Sequence, residues 1–327
     1  MLDDGERIES RWYVACDGAS SWTRKRLAMP LEDLRFEQDW LVVDIELNEG
    51  STVELPLGVR QYCFTDRPFT YVKGVRRFRR WEFQVQPGED VDELNSEAGL
   101  WRLLSPMVGP DDARIVRSAK YTFHGLVAPE LRRGNVFLAG DAAHQTPPFA
   151  GQGLNSGMRD ALNLAWKLAF VKRGVAGDAL LDTYTPERVP HVRSTVAHAV
   201  DMGRLIDQLA GRQSHGVDIE SGYGGTRPAP HLESGVVVGD DPRVGHQFWF
   251  HPGVSRAVRE NGASFAVVTA EPVAVPAELA RWGAVNVVAP ESLGGAYAVV
   301  VRPDRYVAAV ANDAADLAAC AVTLTSY

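Results

Sequence analysis

The sequence predicts an α/β fold made of a buried strand-and-helix unit, an open antiparallel sheet and a small α/β module at the C-terminal end. Three observations carry this. Residues 135–139 (NVFLA) form a short, wholly apolar run of the kind buried in α/β domains, and a long helical pattern follows it. Residues 36–125 are rich in short β-branched and aromatic segments. Beyond a Gly-, Ser- and Pro-rich stretch at 211–235, strand and helix signals alternate.

In chain order, Trp12, Val14 and Cys16 alternate as in a strand and run straight into a glycine turn at Gly18. Strands are expected at 40–47, 60–64, 81–85 and 120–123, with a helical piece at 93–104. After the 135–139 strand, a helix is expected over 152–173. Its apolar positions Leu154, Met158, Ala161, Leu162, Ala165, Leu168 and Ala169 follow helical spacing and should face the core, and Gly174 supplies a stop. A second helix is expected at 186–209. In the last part, strands at 265–269, 285–288, 296–302 and 306–311 accompany a helix at 276–282.

Composition narrows the classes. Of 327 residues, 45% are hydrophobic and 23% charged, which is globular, and a net charge of −8 argues against a phosphate-backbone partner. The basic run at 76–80 (RRFRR) sits in a strand-like segment and reads as local. No segment reaches the roughly 18–20 apolar residues a membrane span needs, and the first residues, MLDDGERIES, are too polar for a secretory signal. A soluble cytoplasmic protein is expected. Cys16, Cys63 and Cys320 form no CxxC pair, and no histidine spacing suggests a metal site.

The cluster Gly151-Gln-Gly153-Leu-Asn-Ser-Gly157 is spaced GxGxxxG and is separated from the 135–139 strand by residues 140–150. A dinucleotide fingerprint follows its strand directly, so that reading is rejected. Two readings remain: a Gly-Pro loop that breaks strand from helix, or glycines that let backbone approach a planar ligand while the free amides of the helix start favour negative charge on it.

The neighbouring residues add a resemblance. LAGDAAHQTPPFAGQGLNSGMRDALNLAWKLA (138–169) resembles the second flavin motif of class A FAD-dependent aromatic monooxygenases, the para-hydroxybenzoate and phenol hydroxylase group. CDGASSWTRKRL (16–27) resembles that group's Asp-Gly motif. RRWEFQVQPGED and the 120–190 stretch look most like 3-(3-hydroxyphenyl)propionate hydroxylases, and VVVRPDRYVAA is similar to the end of the family's thioredoxin-like C-terminal domain. The resemblance implies an FAD-binding part at 1–34 and 127–212, a substrate-binding antiparallel sheet at 35–126, a linker at 213–235 and a thioredoxin-like module at 236–327. The last lacks CxxC and would serve packing or homodimer contact.

The implied activity is hydroxylation of a small phenolic compound, with FAD as cofactor and NAD(P)H and O2 as co-substrates. Among the cofactor residues, Asp141 would bond a ribityl or ribose hydroxyl and Gly140 would allow close approach. Pro147 and Pro148 would wall the ring, and Gly151, Gln152, Gly153, Leu154 and Asn155 would supply an amide-rich edge. Asp17 and Gly18 would shape the pyrophosphate side. Arg24 would meet a phosphate or lie on a solvated face. For an aromatic acid, Tyr62, Arg76, Arg80, Trp81 and His124 are the candidates, because its ring needs a stacking surface and its carboxylate a cation. His144 is a candidate base or a structural residue of its turn.

The family's opening strand, GxGxxG and helix are not found in the sequence, and a truncated gene product or a mis-called start is the expectation, with weak or absent flavin retention. The rival readings are a non-catalytic remnant acting in association and an oxidative or halogenating relative.

Overall fold

The computed structural model describes residues 7–211, 229–262 and 264–327. Strand β1 (Tyr13–Ala15) leads through a turn into helix α1 (Trp22–Arg26). The 16-residue strand β2 (Glu32–Leu47) follows, then β3 (Val59–Cys63), β4 (Pro68–Lys73) and β5 (Phe78–Gln84). Helices α2 (Val91–Leu94) and α3 (Glu97–Leu104) precede the long β6 (Ala113–Val127). Next come β7 (Arg132–Arg133), β8 (Val136–Leu138) and β9 (His144–Gln145). Helices α4 (Gly153–Arg173), α5 (Ala179–Asp182) and α6 (Tyr184–Leu209) complete this part. The last part is α7 (Pro252–Glu260), β10 (Ala266–Thr269), α8 (Ala277–Arg281), β11 (Val285–Val288), β12 (Ala298–Val301), β13 (Val307–Ala311) and α9 (Ala314–Leu324). The linker expected at 213–235 falls largely outside the described residues.

The antiparallel sheet runs β3-β4-β5-β2-β6-β9, so the sequence-local hairpins fold around the central strand β2. Alternation along the strands gives it two faces. On one, Leu41, Val43, Ile45, Tyr71, Trp81 and Phe83 pack with Leu94, Leu100 and Leu104 of α2 and α3. On the other, Trp40 stacks on Phe123 and meets Phe149 edge-on, while Phe36, Val192, Val196 and Val200 bury the contact with α6.

β1 pairs in parallel with β8, Tyr13 opposite Val136 and Ala15 opposite Leu138, and β7 adds antiparallel to β8. The C-terminal sheet has the order β11-β10-β12-β13, with β10 and β11 parallel and the other pairs antiparallel. It is joined to the rest by a shared core in which Trp166 and Phe170 of α4 pack on Phe265 and Trp282.

One expectation is reversed. The stripe Leu154, Met158, Ala161, Leu162 and Ala165 of α4 faces outward, with Leu154 80% and Leu162 57% exposed. The helix instead buries Ser156, Asp160, Asn163 and Lys167, alongside Leu164, Trp166, Phe170 and Val171. Both stripes have helical spacing. The polar one goes inside because charged residues of α6 and the C-terminal module meet it there and satisfy it, which removes the usual penalty for burying charge. No helix among the described residues is long and apolar enough to cross a membrane.

Candidate functional site

β8 delivers the chain to a tight turn at Gly140–Ala142, with Gly140 left-handed at φ 60°. β9 then pairs His144 with Val127 and Gln145 with Leu126, and a second turn, Pro148–Ala150, ends at a left-handed Gly151 before α4 starts. Gly157, one turn into α4, lies against the first turn, since a Cβ there would come within 3.3 Å of the Gly140 Cα. Two glycines thus let a helix start and a strand end converge on one place.

Between them lies a cavity of about 370 Å3 lined by Ala19, Thr122, Phe123, His124, Asp141, Gln145, Thr146, Pro148, Gly151, Gln152, Gly153 and Leu154. The volume is within the roughly 300–1,000 Å3 of small-molecule sites. The first amides of α4 have no intrahelical partner, and Gln152 at the cap makes no side-chain capping bond to them. The Gln152 amide group bonds back to the Ala150 and Gly151 carbonyls, and Asn155 also donates to Gly151 O, so this loop is braced from within. Free amides at a helix start favour a ligand that carries or gains negative charge. A Cβ built on Gly140, Gly151 or Gly153 meets nothing within 4 Å, so the backbone is open to a ligand at each. Thr146 Oγ1 is buried beside the cavity and has no partner among the described residues. These features fit a planar, hydrogen-bonding cofactor ring.

Of the residues expected from sequence, the cavity brings together Asp141, Pro148, Gly151, Gln152, Gly153, Leu154 and His124. Gly140 opens the adjoining turn, and Pro147 is buried behind it. Asp17 is occupied locally: its carboxylate accepts from Ser21 Oγ at 2.5 Å and Thr23 N at 3.0 Å, which brings its pKa down despite some burial, and Gly18 beside it is left-handed. Arg24 departs from both sequence readings. It is buried, with its guanidinium donating to Ala142 O at 2.8 Å and Ala19 O at 2.9 Å, so it ties α1 to the Gly140 turn rather than meeting a phosphate or solvent.

The substrate candidates mostly lie elsewhere. Trp81 is 0% exposed in the core beneath the sheet, its indole N–H directed at Met107 Sδ. Tyr62 stacks on Phe69 in the same layer. Arg80 is spent on Asp44, through two bonds of 2.7 and 3.0 Å, and Arg76 occupies an exposed turn at φ 54°. The expectation that these four face a ligand gives way to packing and surface pairing. The aromatic side chain that lines the cavity is Phe123, packed against Trp40 and Phe149. Their signal in sequence was faint: Tyr121 and Phe123 are spaced to share a face, but the strand opposite is known only from the register that sets Trp40 against Tyr121. A larger cavity, about 660 Å3, is lined by 37–39 of β2, which pair with 122–124 of β6, and by 84–89 at the end of β5, but its carboxylates, Glu37, Asp39, Glu89 and Asp207, suit an anionic ligand poorly.

Behind the cavity runs a buried polar seam. Asp160 receives His144 Nε2–H at 2.7 Å, Gly140 N–H at 3.0 Å and Arg188 Nε–H at 2.8 Å. His144 is therefore a buried member of the frame, not a cavity-lining base. Burial alone would raise the Asp160 pKa, but the His144 bond and the Arg188 charge outweigh it and hold the carboxylate below its usual range. Further along, Glu187 accepts from Lys167, Asn163 and Arg302 at 2.7–2.8 Å, and Arg302 also grips Asp304. Burial, reinforced by Arg302, brings Lys167 down to about 8.

His191 closes the seam. Arg188 donates to its Nδ1 at 3.1 Å, which requires a lone pair there, and burial together with the Arg188 charge lowers its pKa to about 3. A histidine depressed from its unfolded value near 6.5 binds fewer protons folded than unfolded in the window between, so stability is present above that window and lost as pH falls through it. Chemical denaturation at a series of pH values should show the unfolding free energy dropping from pH 6.5 toward 3, with a slope approaching about 1.4 kcal/mol per unit. His191→Asn should flatten this dependence in its upper part. An equally steep curve in the variant would contradict the assignment.

Over residues 2–199 the sequence matches a family model described as an FAD binding domain. It is 42% identical over 202 residues to the 3-(3-hydroxy-phenyl)propionate/3-hydroxycinnamic acid hydroxylase of Shigella sonnei (strain Ss046), a match spanning 62% of this chain and 36% of that one. The protein of the same name from Escherichia coli O139:H28 (strain E24377A / ETEC) is 41% identical over the same length. The chain thus spans little more than a third of the length of the curated relatives it matches. Among solved structures, aklavinone-11 hydroxylase with FAD and aklavinone superposes with a TM-score of 0.76 at 24% identity, covering 97% of this chain and 68% of that one. The flavin-dependent monooxygenase PieE with FAD and substrate gives 0.72 at 21%, covering 96% and 70%. At these identities the two structures speak to fold alone.

Proposed function

We propose, because this chain belongs to the FAD binding domain family, that the cavity at the start of α4 receives the isoalloxazine ring of FAD in an aromatic hydroxylase acting on a small phenolic compound. The observation that carries this is the uncapped helix start opening onto the cavity, with Asp141 beside it. Bound there, FAD would supply the two-electron chemistry by which NAD(P)H and O2 are used. Gly153, Leu154 and Asn155 would present their amides where negative charge gathers on the reduced ring. Asp141, whose carboxylate has no hydrogen-bond partner among the described residues and which lies in an exposed turn, would accept from a hydroxyl of the cofactor's chain. The names of the similar hydroxylases support a phenolic acid as substrate class. Phe123 and His124 would meet it on the sheet side, and the packing of Trp40, Phe123 and Phe149 would keep that side dry. For the C-terminal module, the order β11-β10-β12-β13 supports a thioredoxin-like reading, and with no CxxC in 236–327 its role would be packing.

Titration of flavin fluorescence with the purified chain should show saturable quenching, at an affinity too weak to retain flavin through purification. Asp141→Ala should weaken it by about tenfold, the value of one hydrogen bond to a charged group. Quenching that never saturates would overturn the reading, and equal affinity in the variant would remove Asp141 from it.

A further inference from the structure

The motif that points to the cavity runs through Asp160, and this residue bonds to both the Gly140 turn and the β9 strand of the site's frame. It is 0% exposed on α4 and carries one carboxylate. Oδ2 accepts both the Gly140 backbone N–H, at 3.0 Å, and His144 Nε2–H, at 2.7 Å; Oδ1 accepts Arg188 Nε–H at 2.8 Å. The two Oδ2 partners flank Asp141, so the turn that presents Asp141 to the cavity is pinned at both ends by the same atom. We propose that Asp160 is a positioning residue of the cofactor site: it fixes the left-handed Gly140 turn and the orientation of the His144 ring, and through them the placement of Asp141.

Three features separate this from ordinary core packing. Gly140 at φ 60° is a conformation that an unrestrained turn leaves readily, and its N–H has this carboxylate as its partner. A carboxylate only accepts, so Nε2 must carry the His144 proton in the bond to Asp160. Arg188, on α6, neutralises the buried charge from the side away from the turn and is itself held by donating to Ser156 O of α4 and to His191 Nδ1, so the acceptor cannot swing out. Among the described residues Asp160 makes no hydrogen bond to a cavity-lining residue, and it acts on the site through Gly140 and His144.

The proposal rests on the flavin reading for its consequence, not for its geometry, and the test separates the two. In the unaltered chain, 15N-resolved imidazole spectra should show His144 protonated at Nε2; a proton at Nδ1 with Nε2 bare would overturn the proposal without any variant. In Asp160→Asn, amide exchange at 140–142 should accelerate by on the order of tenfold to a hundredfold relative to amides of β4 and β5, and FAD should bind more weakly by a similar factor. Exchange at 140–142 unchanged or slowed only in step with the whole fold would refute the positioning role, whatever the flavin does. If the unaltered chain does not bind flavin while exchange at 140–142 responds as stated, the flavin reading falls and the positioning role stands. Should Asp160→Asn not fold, His144→Asn tests the same arm: it removes one of the two Oδ2 partners, and exchange at 140–142 should still rise selectively.

Discussion

Replacing Glu187 with Gln is expected to cost about 3–5 kcal/mol of folding free energy, the usual result of breaking a buried ion pair from one side. Glu187 sits 1% exposed between two cations, Lys167 Nζ at 2.8 Å and Arg302 at 2.7 Å, and its other oxygen accepts Val236 N–H at 2.9 Å. With Asp304 the cluster holds two positive and two negative groups and balances. Gln keeps the shape but leaves one buried positive charge in excess, and its NH2 replaces one acceptor oxygen and is set against the donors that bonded to it. Because the cluster joins α4 and α6 to the C-terminal module, the loss should appear first in how that module sits. Urea denaturation followed by the fluorescence of Trp166 and Trp282, which lie in the shared core, is the measurement. A change below about 1 kcal/mol, the level of a surface pair, would show that the cluster is not closed as described.

Trp81→Ala carries the second large effect, about 3–5 kcal/mol, as expected for emptying an aromatic site in a packed core. Trp81 meets Tyr71 edge-on at 5.0 Å and packs from β5 against the α2 and α3 layer. Its neighbour Arg80 points to the other face and pairs with Asp44 while 42% exposed, so Arg80→Ala should cost no more than about 1 kcal/mol. Thermal melts of the two variants make the contrast. If Trp81→Ala instead left stability intact and impaired only binding of an aromatic acid, the placement of Trp81 in the core would be wrong.

The contrast shows what sequence could and could not reveal. Alternation in 40–47 and 81–85 marks strands, but either set of alternating residues can be the inner one, and RRWEF offers Trp81 and Arg80 equally. Only the pairing of β5 with β2 and the helices laid on one face decide that Trp81 goes under α3 while Trp40 turns to α6. The same ambiguity governs α4. Its apolar and polar stripes have the same period, and the polar one is buried because Glu187, Arg188 and Arg302, distant in sequence, are there to meet it. The helix itself, its glycine stop and the turn before it were legible, since they depend on local chemistry: Gly174 is left-handed at φ 72° and Gly151 at φ 61°. Asp160 was not, for its three partners come from a turn, a strand and another helix.

The central claim is that the start of α4 and the Gly140 turn form a flavin site, and hydrogen exchange read peptide by peptide, with and without saturating FAD, tests it most directly. The account predicts slowed exchange confined to 122–124 and 140–155, reached in Asp141→Ala only at about tenfold higher FAD. Slowed exchange confined to the acidic cavity at 37–39 and 84–91, or no change anywhere at concentrations that saturate the fluorescence signal, would contradict it.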